Sequence, residues 1–323
     1  MTVSIIIVVK TWQKNLEECV GKCLKLDSAE FEILILPDEP IAQRDSLCSG
    51  TVPIRVIPTG PVSPADKRDI AIKYAKGDIV AFIDDDAYPV KDWLKNALEN
   101  FKDEEVAAVG GPAITSPLDS LRQKASGAIY SSFLVSGGFV YRYLPKEKRE
   151  IDDYPSCNLL VRKSIMRELG GFNTKFWPGE DTKLCLDITV RLGKKIIYDP
   201  GVLVYHHRRP VFVPHLKQIA NYALHRGYFV KKYPETSLKL PYFIPTLFLF
   251  ALTIGAILSM VSAPIRIIYS LGLSLYLISV FISSIRNGAR LAPFVFFGII
   301  FTHCTYGFYF LKGLFYQKLS EEK

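Results

Sequence analysis

Three long apolar runs, Tyr242–Ser262, Ile267–Ile285 and Leu291–Leu311, constrain this chain more than any other feature. At ~1.5 Å of rise per residue, each is long enough as a helix to cross a hydrocarbon layer of ~30 Å. The chain is 49% apolar, and the surplus over an ordinary soluble protein sits after Pro241. Lys231, Lys232 and Lys239 precede the first run, and Arg286 and Arg290 join the second to the third. Only Arg266 separates the first from the second. The positive-inside rule therefore puts everything before the first run on the cytoplasmic side. Lys312 and Lys318 run against a C-terminus outside, which leaves a re-entrant course open for one run. For His303, inside the third run, a functional role and a buried hydrogen bond to a neighbouring helix both stand, because ionisable groups are costly in lipid.

Ahead of these runs, Val213–Tyr233 interleaves Lys217, His225, Arg226, Lys231 and Lys232 with Tyr222, Tyr228, Phe229 and Tyr233. That pattern predicts a helix lying against lipid headgroups. A formal net charge of +8 suits a phosphate or an anionic membrane surface as partner. Nucleic acid is excluded as a partner, since the basic residues are dispersed and no recognition motif appears. The six cysteines (19, 23, 48, 157, 185 and 304) form no CxxC pair, so no disulfide framework is expected and a reducing compartment is. Cys19 and Cys23, at i and i+4, read as helix packing.

The first two hundred residues follow another grammar. Val3–Val9 reads as a buried strand, being too short for a signal segment and lacking a preceding positive charge. A helix from Leu16 to Leu26 follows, then strands at Phe31–Leu36 and Ile54–Ile57 and a helix from Pro64 to Lys76. Next comes Ile79-Val80-Ala81-Phe82-Ile83, an unbroken apolar run of the kind buried on both faces of a parallel sheet. It ends in Asp84-Asp85-Asp86, three carboxylates that repel one another unless a cation sits among them. Strand–helix alternation with short connections implies a βαβ series. Its loops at Lys10-Thr11, Asp38 and Asp84–Asp86 then fall at the carboxyl ends of strands, where open α/β sheets bind ligands. A divalent ion with oxygen ligands and shared phosphates fits there, and so does a solvated acidic turn.

Farther on, Val106–Ile114 reads as a strand interrupted at Gly110-Gly111. Gly137-Gly138 with the mixed-charge run Lys146–Asp153 reads as a mobile loop, and Ser156–Val161 as a strand. A helix from Lys163 to Leu169 stops at Gly170-Gly171. A second helix begins at Glu180-Asp181 and runs to Arg191, closed by Gly193. Ile196–Tyr198 and Val202–Tyr205 finish the sheet, and His206-His207-Arg208-Arg209 follow.

The order of Asp38 after the second strand, Lys67-Arg68-Asp69 before the Gly77-Asp78 strand, Asp84-Asp85-Asp86, Gly170-Gly171-Phe172 and Glu180-Asp181 resembles the family 2 glycosyltransferases over residues 1–210. The resemblance implies an α/β GT-A fold, a mixed, mainly parallel sheet flanked by helices, followed here by a helical membrane region. It divides the chain into a catalytic domain at 1–212, an interfacial segment at 213–240 and a membrane domain at 241–323. It also implies roles. Asp84 and Asp86 form the D-x-D element, with Asp86 on Mn²⁺ or Mg²⁺ and Asp84 and Asp85 on ribose or metal-bound water. Asp38 is matched to the nucleobase, although Pro37 replaces the acidic residue common before it. Thr11 lines the base pocket, and Arg68 faces base or phosphate. Asp181 is the base that takes the acceptor proton, oriented by Glu180, whereas an acidic helix N-terminus alone would also favour both residues. Asp187 stands where a basic residue is frequent.

Some enzymes of this fold take a third metal ligand where His206-His207 lies. Adjacent residues on an extended chain point opposite ways, so only one can serve, and His206 is preferred. A structural role for both remains open, and Arg208 and Arg209 are candidates for diphosphate or lipid phosphate. Gln218 with Asn221-Tyr222 only loosely resembles the Gln-x-x-Arg-Trp box of processive synthases, which argues against a polymerising enzyme. The expected function is an inverting transferase that moves sugar from a UDP- or GDP-linked donor to a lipid-linked saccharide, in an integral membrane protein with its catalytic domain in the cytoplasm. Transfer to a polyprenyl phosphate itself, and a nucleotide-binding scaffold without chemistry, are the alternatives.

Overall fold

A computed structural model describes residues 1–27, 30–40 and 52–322; Cys48 lies outside them. Its contacts divide the chain into two units, one of Met1–Ile114 with Leu144–His207, the other of Thr115–Tyr143 with Arg208–Glu321.

The first unit starts from the apolar runs. β1 (Val3–Val8) is buried at every position, and β2 (Phe31–Leu36) and β4 (Ile79–Asp84) nearly so. β1 pairs in parallel with both, and the register sets Val8 opposite Leu36 on one side and Asp84 on the other. All three strands therefore end level, which brings their following loops to one edge. β3 (Ile54–Val56) adds to β2 in parallel. Gly77 is required at the entry to β4, because a Cβ there would lie 2.5 Å from the Ser4 nitrogen. Helix α1 (Lys14–Cys23) buries Leu16, Cys19, Val20 and Cys23 at helical spacing, in agreement with a packing role for the two cysteines. Helix α2 (Pro64–Tyr74) is started by the Ser63 hydroxyl, which accepts from the Asp66 N–H, with Pro64 in its first turn.

The run 106–114 is not one strand. β6 (Val106–Gly110) stays in the main sheet, while β7 (Ala113–Thr115) joins a small sheet with β5 (Ala87–Pro89) and β11 (Val204–His206). The corner falls at Gly111, where a Cβ would lie 1.8 Å from the Val202 carbonyl oxygen. Asn158 fastens this corner by donating to the carbonyls of Gly111 (2.6 Å) and Val202 (2.7 Å). The mixed-charge run is also different from expectation: it holds β8 (Arg149–Ile151), paired antiparallel at the sheet edge with β10 (Lys195–Tyr198). Charges suit an edge strand, one side of which has no neighbouring strand. With β9 (Asn158–Arg162) antiparallel between β4 and β6, the large sheet reads β3-β2-β1-β4-β9-β6-β10-β8 among the described residues. It is the expected mixed, mainly parallel sheet flanked by helices. The 202–205 segment does not finish it, because β11 runs antiparallel to β5 instead, with His206 opposite Ala87.

Helix α3 (Trp93–Asn100) buries Trp93, whose indole donates to Asn158. Helix α4 (Lys163–Leu169) stops as expected at Gly170, with φ +74°, and Gly171, with φ +90°. Helix α5 (Glu180–Leu186) passes into a π-turn at Asp187–Arg191, and Asp187 takes a 2.5 Å ion pair from Lys183.

The second unit is helical. α6 (Leu121–Ser131) and α7 (Val213–Lys232) accompany α8 (Leu240–Val261), α9 (Ala263–Ile285) and α10 (Ala292–Phe315). Among the described residues, the last three are long and apolar enough to cross a membrane. Ala125, Ile129, Val211, Val280, Val295 and Ile299 form one buried cluster. α6 thus joins the C-terminal helices through Ala125 and Ile129. α7 packs its backbone against α10. A Cβ on Gly227 would lie 2.1 Å from the Phe310 carbonyl oxygen, and one on Gly313 2.1 Å from that of Leu224. His225, Tyr228 and Phe229 are buried as a result, so of the aromatics predicted to meet headgroups Tyr222 is the exposed one. Arg208 is buried as well, its guanidinium over the rings of Tyr130 and Tyr143 and its N–H on Asp119. His303 is half-buried and lies 3.0 Å from the Tyr276 hydroxyl of the neighbouring helix and 2.9 Å from the Leu134 carbonyl.

Candidate active site

Asp85 and Asp86 form the two-residue turn from β4 into β5, so the three carboxylates crowd the sheet edge that the parallel register prepared. The antiparallel β5–β11 pair brings in residues from far along the chain. The His207 N–H donates to the Asp86 carbonyl, and the His206 Nε2 lies 3.0 Å from the Asp86 carboxylate, 120 residues away. Asp84, Asp86 and His206 each offer one ligand atom within 4.8 Å of the others. His207 turns the opposite way, to Glu18 at 3.1 Å and the Tyr88 ring, as alternation on a strand requires. Two carboxylates and an imidazole make a donor set that fits Mn²⁺, and Mg²⁺ through its oxygens.

Burial raises the Asp84 carboxyl above the ordinary carboxylate range, and Asp86 adds to this while Arg68 opposes it. Asp85 is pushed up to about 7 by burial and by the charges of Asp86 and Asp84. Its carboxylate accepts from the Gln13 side chain, a partner that no local pattern in the sequence indicated.

Arg68 is 4% exposed and joins the two acidic motifs. It donates to Glu180 at 2.8 Å and to Asp84 at 3.1 Å, with its guanidinium over the Phe172 ring. The structure therefore gives this arginine to two carboxylates as their shared counterion. Burial and then the neighbouring Asp181 push Glu180 up to about 7 against the pull of Arg68. Asp181 is less buried, and its two oxygens accept from the backbone N–H groups of Thr182 (2.8 Å) and Ser156 (3.2 Å). Next to Arg68, Asp69 accepts from the N–H groups of Phe172 and Asn173, tying α2 to the Gly-Gly-Phe segment.

On the other side of α2, the buried ammonium of Lys67 pairs with Asp38. Thr11 stands exposed in the loop after β1. Lys67-Arg68-Asp69 thus reaches four different motifs with three consecutive side chains. The sequence displayed the triplet but gave Lys67 no role, because its partners depend on which strands end side by side.

A family model described as Glycosyl transferase family 2 matches residues 4–170. Among curated proteins, the pre-mycofactocin glycosyltransferase of Mycobacterium tuberculosis is 32% identical over 146 residues, 45% of this chain and 30% of that protein. The match therefore spans less than a third of that relative. A dolichyl N-acetyl-alpha-D-glucosaminyl phosphate 3-beta-D-2,3-diacetamido-2,3-dideoxy-beta-D-glucuronosyltransferase of Methanococcus voltae is 26% identical over 252 residues, covering 75% of this chain and 73% of the relative. Among solved structures, the mannosyltransferase PcManGT from Pyrobaculum calidifontis, in complex with GDP-Man and Mn²⁺, superposes with a TM-score of 0.62 at 18% identity, over 98% of this chain and 88% of that one. That likeness is one of fold. With the Lys67-Arg68-Asp69 triplet, the Asp84-Asp85-Asp86 turn and the Gly170 helix stop all inside the matched span, this chain belongs to glycosyl transferase family 2 and has the GT-A fold.

Proposed function

We propose that the protein is a membrane-anchored, metal-dependent, inverting glycosyltransferase that moves a sugar from a UDP- or GDP-linked donor to a lipid-linked, polyprenyl-type saccharide on the cytoplasmic side. The observation that carries this reading is the juxtaposition of the Asp84, Asp86 and His206 cluster with Glu180-Asp181 through the single side chain of Arg68. Asp84, Asp86 and His206 would hold Mn²⁺ or Mg²⁺, which when bound neutralises the diphosphate leaving group as a Lewis acid. Asp85 and Asp84 face the ribose, and Thr11 and Asp38 the base. Asp181, oriented by two backbone N–H groups, takes the proton of the acceptor hydroxyl as that oxygen bonds to the anomeric carbon and the bond to the diphosphate breaks. One displacement inverts the anomeric centre. Glu180 is held on Arg68 and positions this end of the site.

Two relatives support a saccharide-bearing acceptor by name: the Methanococcus voltae transferase and a glucosyl-dolichyl phosphate glucuronosyltransferase of Haloferax volcanii, 25% identical over 138 residues, 40% of this chain and 43% of the relative. The apolar helices α8 to α10 support a membrane anchor. The test is transfer by the purified full chain with UDP- and GDP-sugars, Mn²⁺ and polyprenyl-linked acceptors. Asp181→Asn is expected to stay folded and lose at least about 10²-fold in rate. Undiminished turnover in that variant overturns the assignment of the base. An acid-labile sugar–phosphate product would instead identify polyprenyl phosphate as the acceptor. Donor binding without any consumption would reduce the protein to a scaffold.

A further inference from the structure

Lys67 lies in α2 with its side chain 3% exposed. Its ammonium donates to the carbonyl oxygens of Val9 (2.5 Å) and Leu36 (3.2 Å) and to the Asp38 carboxylate. An ammonium has three N–H donors, and these three acceptors use them all. Val9 and Leu36 stand at the carboxyl ends of β1 and β2, where the loops bearing Thr11 and Asp38 begin. A lysine ordinarily keeps its head in water and only its stem against the protein. Burial of the head is tolerated here because every donor is satisfied.

The Asp38 backbone is held as well. Its N–H donates to the Lys10 carbonyl at 3.0 Å, and its carbonyl accepts from the Gly60 N–H at 2.9 Å. The Asp38 side chain remains 21% exposed at this edge. Backbone and carboxylate are thus both fixed before any ligand arrives.

We propose that Lys67 is a positioning residue that fixes the Asp38 carboxylate as an acceptor-only reader of the donor's nucleobase, so that the site admits uracil, thymine or guanine and rejects cytosine and adenine. The inference rests on the nucleobase role given to Asp38 and the UDP- or GDP-linked donor proposed above, and adds the residue that enforces that choice of base. An ionised carboxylate accepts hydrogen bonds and donates none. Uracil and thymine present N3–H on their pairing edge, and guanine presents N1–H with its amino group. Cytosine N3 and adenine N1 carry lone pairs there and meet the carboxylate oxygen unfavourably. A site built to pair one pattern rejects the other because its own polar group is left unmatched. Lys67 does not touch the base, since its three donors are occupied. It acts through Asp38, so its loss is read in base discrimination.

The experiment measures binding of UDP, GDP, CDP and ADP to the purified full chain by calorimetry with Mn²⁺ present, with inorganic pyrophosphate as the base-free probe. The wild type is expected to prefer UDP or GDP over CDP and ADP by at least about tenfold, the worth of one hydrogen bond to a charged group. Lys67→Met should shrink that preference to about threefold or less without changing pyrophosphate affinity, and Lys67→Arg should restore part of it. Asp38→Asn, which gains an N–H donor, should shift the preference towards CDP and ADP. Lys67→Met that melts earlier yet keeps the wild-type preference overturns the inference and leaves the lysine a strut between strand ends. Where Lys67→Met does not fold, an unaltered preference in Asp38→Asn overturns it equally. Wild-type protein that binds nucleotides but favours CDP or ADP refutes this inference alone, whereas failure to bind any of the four refutes the donor reading beneath it.

Discussion

Arg68 shows how a single side chain sets the electrostatics of the site. Asp84 and Glu180 are brought together from positions far apart in sequence; Asp84 is half-exposed, whereas Glu180 is buried enough that its charge needs an internal partner. Removing one member of a buried ion pair leaves the other charge uncompensated, at a cost of about 3–5 kcal/mol. Arg68→Met is therefore expected to lower stability by that order in chemical denaturation. Arg68→Lys should recover only part of it, because a point-like ammonium cannot span two carboxylates as the guanidinium fork does. A loss below about 0.5 kcal/mol in Arg68→Met would show that the bridge is not made in solution. The Lys67-Arg68-Asp69 triplet was visible in the sequence as a motif. Its division of labour was not, because each partner lies on a different element and comes within reach only after the sheet has formed.

At the scale of elements, close backbone approach decides two features. The first is the corner at Gly111, which sends the chain from the large sheet into the small one that carries His206. Gly111→Ala puts a methyl group into the Val202 carbonyl and should cost about 1–3 kcal/mol, with a weaker Mn²⁺ affinity measured by electron paramagnetic resonance. The second is the seam between α7 and α10, where Gly227→Ala would separate the helices and should lower the melting temperature in detergent. His215 reinforces that unit. It lies 2.8 Å from the Ser126 hydroxyl and 3.0 Å from that of Thr302, linking α6, α7 and α10. Burial, with Arg208 nearby, pushes its pKa down to about 4 from the ordinary 6.5. The imidazole is thus neutral in the fold and takes up a proton more readily when unfolded. Its contribution is complete above pH 6.5 and is lost as pH falls towards 4, by up to about 3 kcal/mol. Stability measured between pH 7 and 4 should fall less steeply in His215→Gln than in the wild type.

The strands and helices readable from sequence were those with a strong local pattern. Phe31–Leu36 and Lys163–Leu169 have the predicted bounds, the first from an apolar run and the second from its two-glycine stop. Arg149–Ile151 reads as loop in the sequence because an edge strand is allowed to be charged, and pairing with Lys195–Tyr198 alone makes it a strand. The aromatics of α7 suggested a headgroup surface, but the glycines that let α10 approach bury most of them.

For the molecule as a whole, the basic residues of the loops imply an orientation in the bilayer. Thiol labelling in sealed inside-out vesicles with a membrane-impermeant maleimide should modify Asn287→Cys, beside Arg286 and Arg290, and spare Ser262→Cys between the first two apolar helices. The reverse pattern would put the acidic edge on the wrong side for a cytoplasmic sugar nucleotide.

By itself the sequence determined what depends on near neighbours along the chain. Apolar runs choose between sheet core and lipid, glycines stop helices, and three adjacent aspartates demand a cation or a turn. The tertiary structure alone decided that His206 reaches Asp86 from 120 residues away, that Arg68 reaches Glu180 from 112, and that Lys67 is consumed at the ends of two strands. Those contacts follow from strand register and sheet corners, and register is set by the burial of whole strands against one another, so no window of local sequence contains it.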